Sequence, residues 1–215
     1  MTERLHIDPQ NASFDELARA ARVLLDGGLI ACPTGTLYAL MALVDNHAAL
    51  DRLVKLKGEN ERRMKPLLVL VDQKERAKCY AKELPEEAEG LMSKFWPGPL
   101  TLLFLAQSGL HQSLVGPART VGLRVDGLPL VRRLVRMLDR GVTGTSANPA
   151  GQAPAASADE VIEYFGEDLD LVIDGGSAAS QPSTVIDVSL GGPRVLRDGG
   201  LPLNKLIQAC PILRF

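Results

Sequence analysis

Cysteine and histidine are scarce, at three residues each in a chain of 215. Cys32, Cys79 and Cys210 lie far apart, form no C-x-x-C pair and do not cluster with His6, His47 or His111. A disulfide framework and a thiolate–imidazole metal site are therefore not expected, and buried free thiols in a reducing compartment are. No histidine stands near a serine or cysteine in a recognisable triad setting, which argues against that form of covalent catalysis. Charge imbalance is also missing. With 24 basic and 26 acidic residues the net charge is −2, so bulk attraction to nucleic acid or an anionic membrane gets no support, and only a local basic groove stays open. No run nears the ~20 apolar residues that cross a bilayer, and residues 1–10 are polar with no apolar signal core. A soluble, cytoplasmic protein with no membrane role is expected. The phosphate loop of P-loop enzymes and the Rossmann glycine fingerprint are both absent.

What is present is ordinary globular composition, 46% hydrophobic and 23% charged, in a length that suits one sizeable domain. Ser13 and Glu16 have capping-box spacing ahead of an apolar face of Leu17, Ala20, Ala21 and Leu24. The same spacing recurs at Asp72 with Glu75 and at Ser157 with Glu160. Helices are expected after each, over 47–57, from Pro85 to about Phe95, over 130–138, and after Pro202. Strands are expected at 29–32, 67–71, 100–106, 121–125, 142–145, 171–174, 184–188 and 194–197. Helices and strands alternate early and strands pair up later. That pattern predicts an α/β fold with a twisted, mixed parallel/antiparallel sheet and flanking helices.

In open α/β sheets ligands collect beyond the carboxyl ends of strands. Five segments rich in glycine, small hydroxyls or cations follow predicted strands or lie beside them: Pro33–Tyr38, Lys57–Lys65, Gly144–Asn148, Gly175–Thr184 and Arg197–Gly200. Glycine lets a backbone approach a ligand, successive amides can cradle phosphate, and Lys and Arg add positive charge. The set suits a polyanion together with a small polar substrate. Each piece also has a plainer reading: Pro-Thr-Gly as a turn, Ser146 and Asn148 as caps of loop backbone, Trp96-Pro97-Gly98-Pro99 as a helix stop, and Arg132, Arg133, Arg136 and Arg140 as a solvated face.

Taken in order, the segments resemble the YrdC-type domain of threonylcarbamoyl-AMP synthases. Pro33-Thr34-Gly35-Thr36-Leu37-Tyr38-Ala39-Leu40 is similar to the family's P-T-[acidic]-T-x-Y-G-L signature. Lys57 through Leu67 is similar to its basic loop, and Trp96-Pro97-Gly98-Pro99-Leu100-Thr101 to its W-P-G-P-L-T turn. Val121–Val125 resembles its arginine-bearing strand, Ser146-Ala147-Asn148 its S-x-N motif, Ser183–Asp187 its S-T-V-x-D strand, and Arg197-Asp198-Gly199 its R-x-G ending. The blocks are collinear over about residues 15 to 200, and the resemblance implies a single YrdC-like domain over 10–210, its twisted mixed sheet enclosing an open concave cavity.

The resemblance further implies synthesis of threonylcarbamoyl-AMP from L-threonine, bicarbonate and ATP, for modification of tRNA. It places Lys57, Ser146, Asn148 and Arg197 on ATP, and Thr34, Tyr38, Lys65, Arg124 and Ser183 on threonine, with Mg²⁺ bridging phosphates. The chain departs from the pattern in three places. Glu59 stands where the family's K-x-R loop has arginine, Gly35 replaces an acidic residue, and Ala39 replaces glycine. Arg62 or Arg63 would compensate for Glu59. The alternative is a YrdC-like paralogue that binds nucleotide or RNA, tRNA or double-stranded RNA included, without synthase activity. The extra C-terminal domain of longer family members is not expected after Phe215.

Overall fold

In the computed structural model the described residues are 2–58, 66–178 and 181–214. Eleven strands among them form two sheets. Sheet one has the order β1 (Glu3–His6), β9 (Leu171–Asp174), β2 (Ile30–Pro33), β3 (Tyr38–Met41), β8 (Thr145–Ser146). Sheet two has the order β11 (Arg194–Arg197), β10 (Thr184–Asp187), β5 (Leu100–Leu105), β6 (Thr120–Val125), β4 (Val69–Val71), β7 (Val142–Thr143). Each mixes parallel and antiparallel pairs: β2 runs parallel to β9 and antiparallel to β3, and β5 runs parallel to β10 and antiparallel to β6. The helices are α1 (Phe14–Leu25), α2 (His47–Lys57), α3 (Glu86–Phe95), α4 (Pro129–Leu138), α5 (Ala158–Phe165) and α6 (Leu203–Ala209).

The expected mixed α/β class is present, but as two hydrogen-bonded sheets instead of one. The segment predicted as a single strand over 142–145 makes the difference. Its first half pairs with β4 in sheet two and its second half with β3 in sheet one. Gly144 marks the change of sheet, and its N–H donates to the Leu68 carbonyl at 2.8 Å. A Cβ there would lie 2.7 Å from Cγ of the fully buried Leu70, so only glycine lets the strand cross against that packing.

Period-2 alternation divides the core in two. Along β2 and β3, Ala31, Tyr38 and Leu40 enter one apolar cluster, while Ile30, Cys32, Ala39 and Met41 enter the other. Such alternation is what a pleated strand with both faces covered produces. The second cluster is roofed by α1 and α4, which pack against each other through Leu17, Ala20, Ala21 and Leu24 and through Leu130, Val131, Leu134, Val135 and Leu138. α1 opens as expected, with Ser13 and Glu16 bonding reciprocally in a capping box.

The other two capping-box readings need correction. Asp72 does not cap; its buried carboxylate accepts from Arg76 and lies 3.5 Å from Arg136, and the turn after it is a short 3₁₀ segment at Lys74–Cys79. Ser157 does cap α5, but Glu160 reaches past it to the Ala156 N–H at 2.9 Å. β1 and β3 were not expected from the sequence, and Cys79 is exposed while Cys32 and Cys210 are buried. Among the described residues no helix is long and apolar enough to cross a membrane.

Gly144→Ala is expected to lose about 1–3 kcal/mol through overpacking, read as a lower urea midpoint. Gly144→Ala combined with Leu70→Ala should lose less than the sum of the two single changes, because the second removes the side chain that the new Cβ meets.

Candidate active site

The concave face of sheet two follows directly from strand alternation. Along β5, Leu100, Leu102 and Phe104 go to the core, while Thr101 and Leu103 face a cavity of about 710 Å³. Along β6, Val121, Leu123 and Val125 go to the core, and Gly122 and Arg124 face the same cavity. Sheet one adds Tyr38 and Ala39 from β3 and Thr145 and Ser146 from β8. The cavity is thus walled by both sheets, and Gly144, where one strand passes between them, is itself part of the lining.

Eight of the residues anticipated from the sequence line this one cavity: Thr34, Tyr38, Lys57, Arg124, Ser146, Asn148, Ser183 and Arg197. Lys65, Arg62, Arg63 and Glu59 lie outside the described residues. Thr36 and Thr101 also line it; both stood in the quoted motifs, where their hydroxyls were the available signal.

The hydroxyl loop after β2 is internally tied. Thr34 Oγ1 donates to the Leu37 carbonyl at 2.7 Å and accepts from the Thr36 and Leu37 amides. The turn reading and the lining position therefore coexist in one residue. Tyr38 donates its hydroxyl to the Gly176 carbonyl at 2.7 Å, and burial pushes its pKa up to about 12, so it is a neutral donor at physiological pH.

Lys57 ends α2 and is only 4% exposed. Its Nζ donates to the Ser146 carbonyl at 2.8 Å, to the Asn148 carbonyl and to Asn148 Oδ1 at 3.2 Å. The ammonium thus gathers the Ser146–Asn148 turn around itself. Ser146 Oγ donates to Asn148 Oδ1 at 2.6 Å, and the Asn148 amide donates to the Pro149 and Gln152 carbonyls.

On the opposite wall, Arg197 of β11 donates through Nε and Nη2 to the Ser183 carbonyl, and Ser183 Oγ meets Thr101 Oγ1 at 2.8 Å. Desolvation, together with the nearby Arg124 charge, lowers the Arg197 pKa from its ordinary value. Both guanidinium groups line the cavity, Arg124 paired with Asp126 at 2.7 Å and Arg197 bonded to neutral groups. The R-x-G pattern has a steric reason: a Cβ on Gly199 would sit 2.5 Å from the Pro182 carbonyl oxygen and 2.6 Å from that of Ser183. Trp96 is buried, with Nε1 donating to the Leu100 carbonyl at 2.7 Å, in agreement with its reading as a helix stop packed in the core.

The arginines of α4 do not form an open basic stripe. Arg132 donates to the Asp126 and Gly127 carbonyls, Arg133 donates to the Ala12 carbonyl, and Arg140 pairs with Asp45 at 2.9 Å. Arg136 faces Asp72.

The family model described as Sua5/YciO/YrdC, telomere recombination, matches residues 22–199. The chain belongs to this family. Among curated relatives, a threonylcarbamoyl-AMP synthase of Pyrococcus abyssi is 36% identical over 188 residues, covering 87% of this chain and 55% of its own length. One of Marinobacter nauticus is 30% identical over 187 residues, 86% of this chain and 97% of that protein. The chain thus spans little more than half of the first relative and nearly all of the second. Among solved structures, P. abyssi Sua5 complexed with L-threonine superposes with a TM-score of 0.93 at 32% identity, covering 99% of this chain and 62% of that one. Escherichia coli YciO shares the fold, with a TM-score of 0.85 at 24% identity over 94% of this chain and 98% of that one.

Gly199→Ala is expected to cost about 1–3 kcal/mol in a denaturant melt because the new Cβ collides with backbone. Asp198→Ala, at the exposed neighbouring position, should stay within about 0.5 kcal/mol.

Proposed function

We propose that this chain, read as one domain over 10–210, is a cytoplasmic synthase that makes threonylcarbamoyl-AMP and pyrophosphate from L-threonine, bicarbonate and ATP. The observation that carries the reading is the convergence of eight motif residues on one cavity. Its support from relatives is that curated proteins of this family bear the name threonylcarbamoyl-AMP synthase, one of them over nearly its full length.

The residues divide by ligand, with Arg197 reaching the nucleotide from the wall opposite Lys57. Arg124, Ser183, Thr34 and Tyr38 would take the amino acid, the Arg124 guanidinium facing its carboxylate and the hydroxyls its polar groups. Lys57, Ser146, Asn148 and Arg197 would take the nucleotide, the two cations offsetting phosphate charge. The threonine amine and bicarbonate give a carbamate with loss of water. A carbamate oxygen then bonds to the α-phosphorus as the bond to the pyrophosphate oxygen breaks. The nucleophile belongs to the substrate, so the protein need only align the partners and stabilise developing charge.

Mg²⁺ would neutralise the triphosphate. The cavity lining carries no carboxylate among the described residues, and they hold no group of three His, Cys, Asp or Glu able to bind a metal. The ion would therefore be held by phosphate and water oxygens, not by a protein cage.

Purified protein is expected to release pyrophosphate from ATP only when threonine and bicarbonate are both present; binding of ATP without such release would sink the synthase reading. Lys57→Met is expected to weaken ATP about tenfold or more while leaving threonine affinity within about twofold. Calorimetric titration of each ligand separately reads both numbers.

A further inference from the structure

We propose that Asp126 is a positioning residue for the amino-acid wall, locking Arg124 and the Thr34–Thr36 turn into one arrangement before substrate arrives. The identity of the ligand rests on the synthase reading; the geometry does not. Asp126 does not line the cavity and matches none of the motifs. It follows β6 and is 1% exposed. Its Oδ2 accepts from Arg124 Nη2 at 2.7 Å, and its Oδ1 accepts from the amides of Gly35 at 2.8 Å and Leu128 at 2.9 Å. One carboxylate therefore joins the cavity arginine, the hydroxyl turn and the entry to α4. Arg132 fixes the same backbone by donating to the Asp126 carbonyl at 2.9 Å.

Arg124 is 3% exposed, and its remaining described bond is Nη1 to Thr36 Oγ1 at 3.1 Å. Its Nε has no partner among the described residues. The plane of the guanidinium is thus set by two contacts, Asp126 and Thr36, and Asp126 anchors the turn that bears Thr36. A buried guanidinium with a paired carboxylate is already charge-compensated, so its compensation does not wait for substrate. Asparagine at 126 would break this whichever way it turns. Its amide donor would face either the guanidinium or the Gly35 and Leu128 amides, and donor would meet donor. The other half of the cavity is built separately, from Lys57 bonded to the Ser146–Asn148 turn.

The test is the pair of affinities in Asp126→Asn, with a thermal melt to verify folding. Threonine is expected to weaken at least about tenfold and ATP to change by less than about twofold. Unchanged threonine affinity overturns the proposal, and so does an equal loss for both ligands, which would mark Asp126 as support for the fold alone. Should the asparagine variant not fold, Asp126→Glu keeps the charge but overreaches the three donors, and the same selective loss is expected. A second readout needs no substrate. In ¹⁵N-labelled, ligand-free protein, Asp126→Glu should shift the Gly35 amide and Arg124 side-chain resonances together, and unchanged resonances overturn the proposal. If wild-type protein binds no threonine, the synthase reading fails and these resonances still decide the role of Asp126.

Discussion

The cavity depends on one short strand that belongs to two sheets. Residues 142–143 complete the edge of sheet two beside β4, and residues 145–146 complete the edge of sheet one beside β3. The turn that follows, at Ser146–Asn148, is then held by Lys57 from the end of α2. Had the strand stayed in either sheet, the two walls would not share a seam. The crossing is possible because Gly144 presents no Cβ to Leu70. A packing constraint on one glycine thus sets the distance between two sets of polar groups that come from distant parts of the chain.

Much of this was legible in the sequence, for reasons that differ by element. The strand Val121-Gly122-Leu123-Arg124-Val125 alternates apolar and small or charged residues, and the structure sends each set to a different face. Ser13 and Glu16 gave the start of α1 because a capping box is a local device that needs no distant partner. The same local rule failed at Asp72, where Arg76 and Arg136 outcompete a helix terminus for the carboxylate. β1 was missed because four residues with no apolar run become a strand only by pairing with β9. Asp126 was missed for a similar reason: its role lies in whom it meets, and nothing near it in sequence names Gly35.

The site also shows how a chain of nearly balanced charge can present a cationic cavity. The lining among the described residues includes Lys57, Arg124 and Arg197 and no carboxylate, the Asp126 carboxylate that pairs with Arg124 lying behind it. Lys57 and Arg197 are steadied by neutral carbonyls, and Arg124 by Asp126 and Thr36.

The parallel pairing of β1 with β9 has a consequence for synthesis of the chain on the ribosome. Glu3 finds its neighbour in Leu171, and Leu100 of β5 finds Thr184 of β10. Neither sheet can close until most of these residues have emerged, so β1 and the edge of β5 that receives β10 wait for partners made much later. Contacts this distant in sequence slow folding and leave strand edges exposed meanwhile.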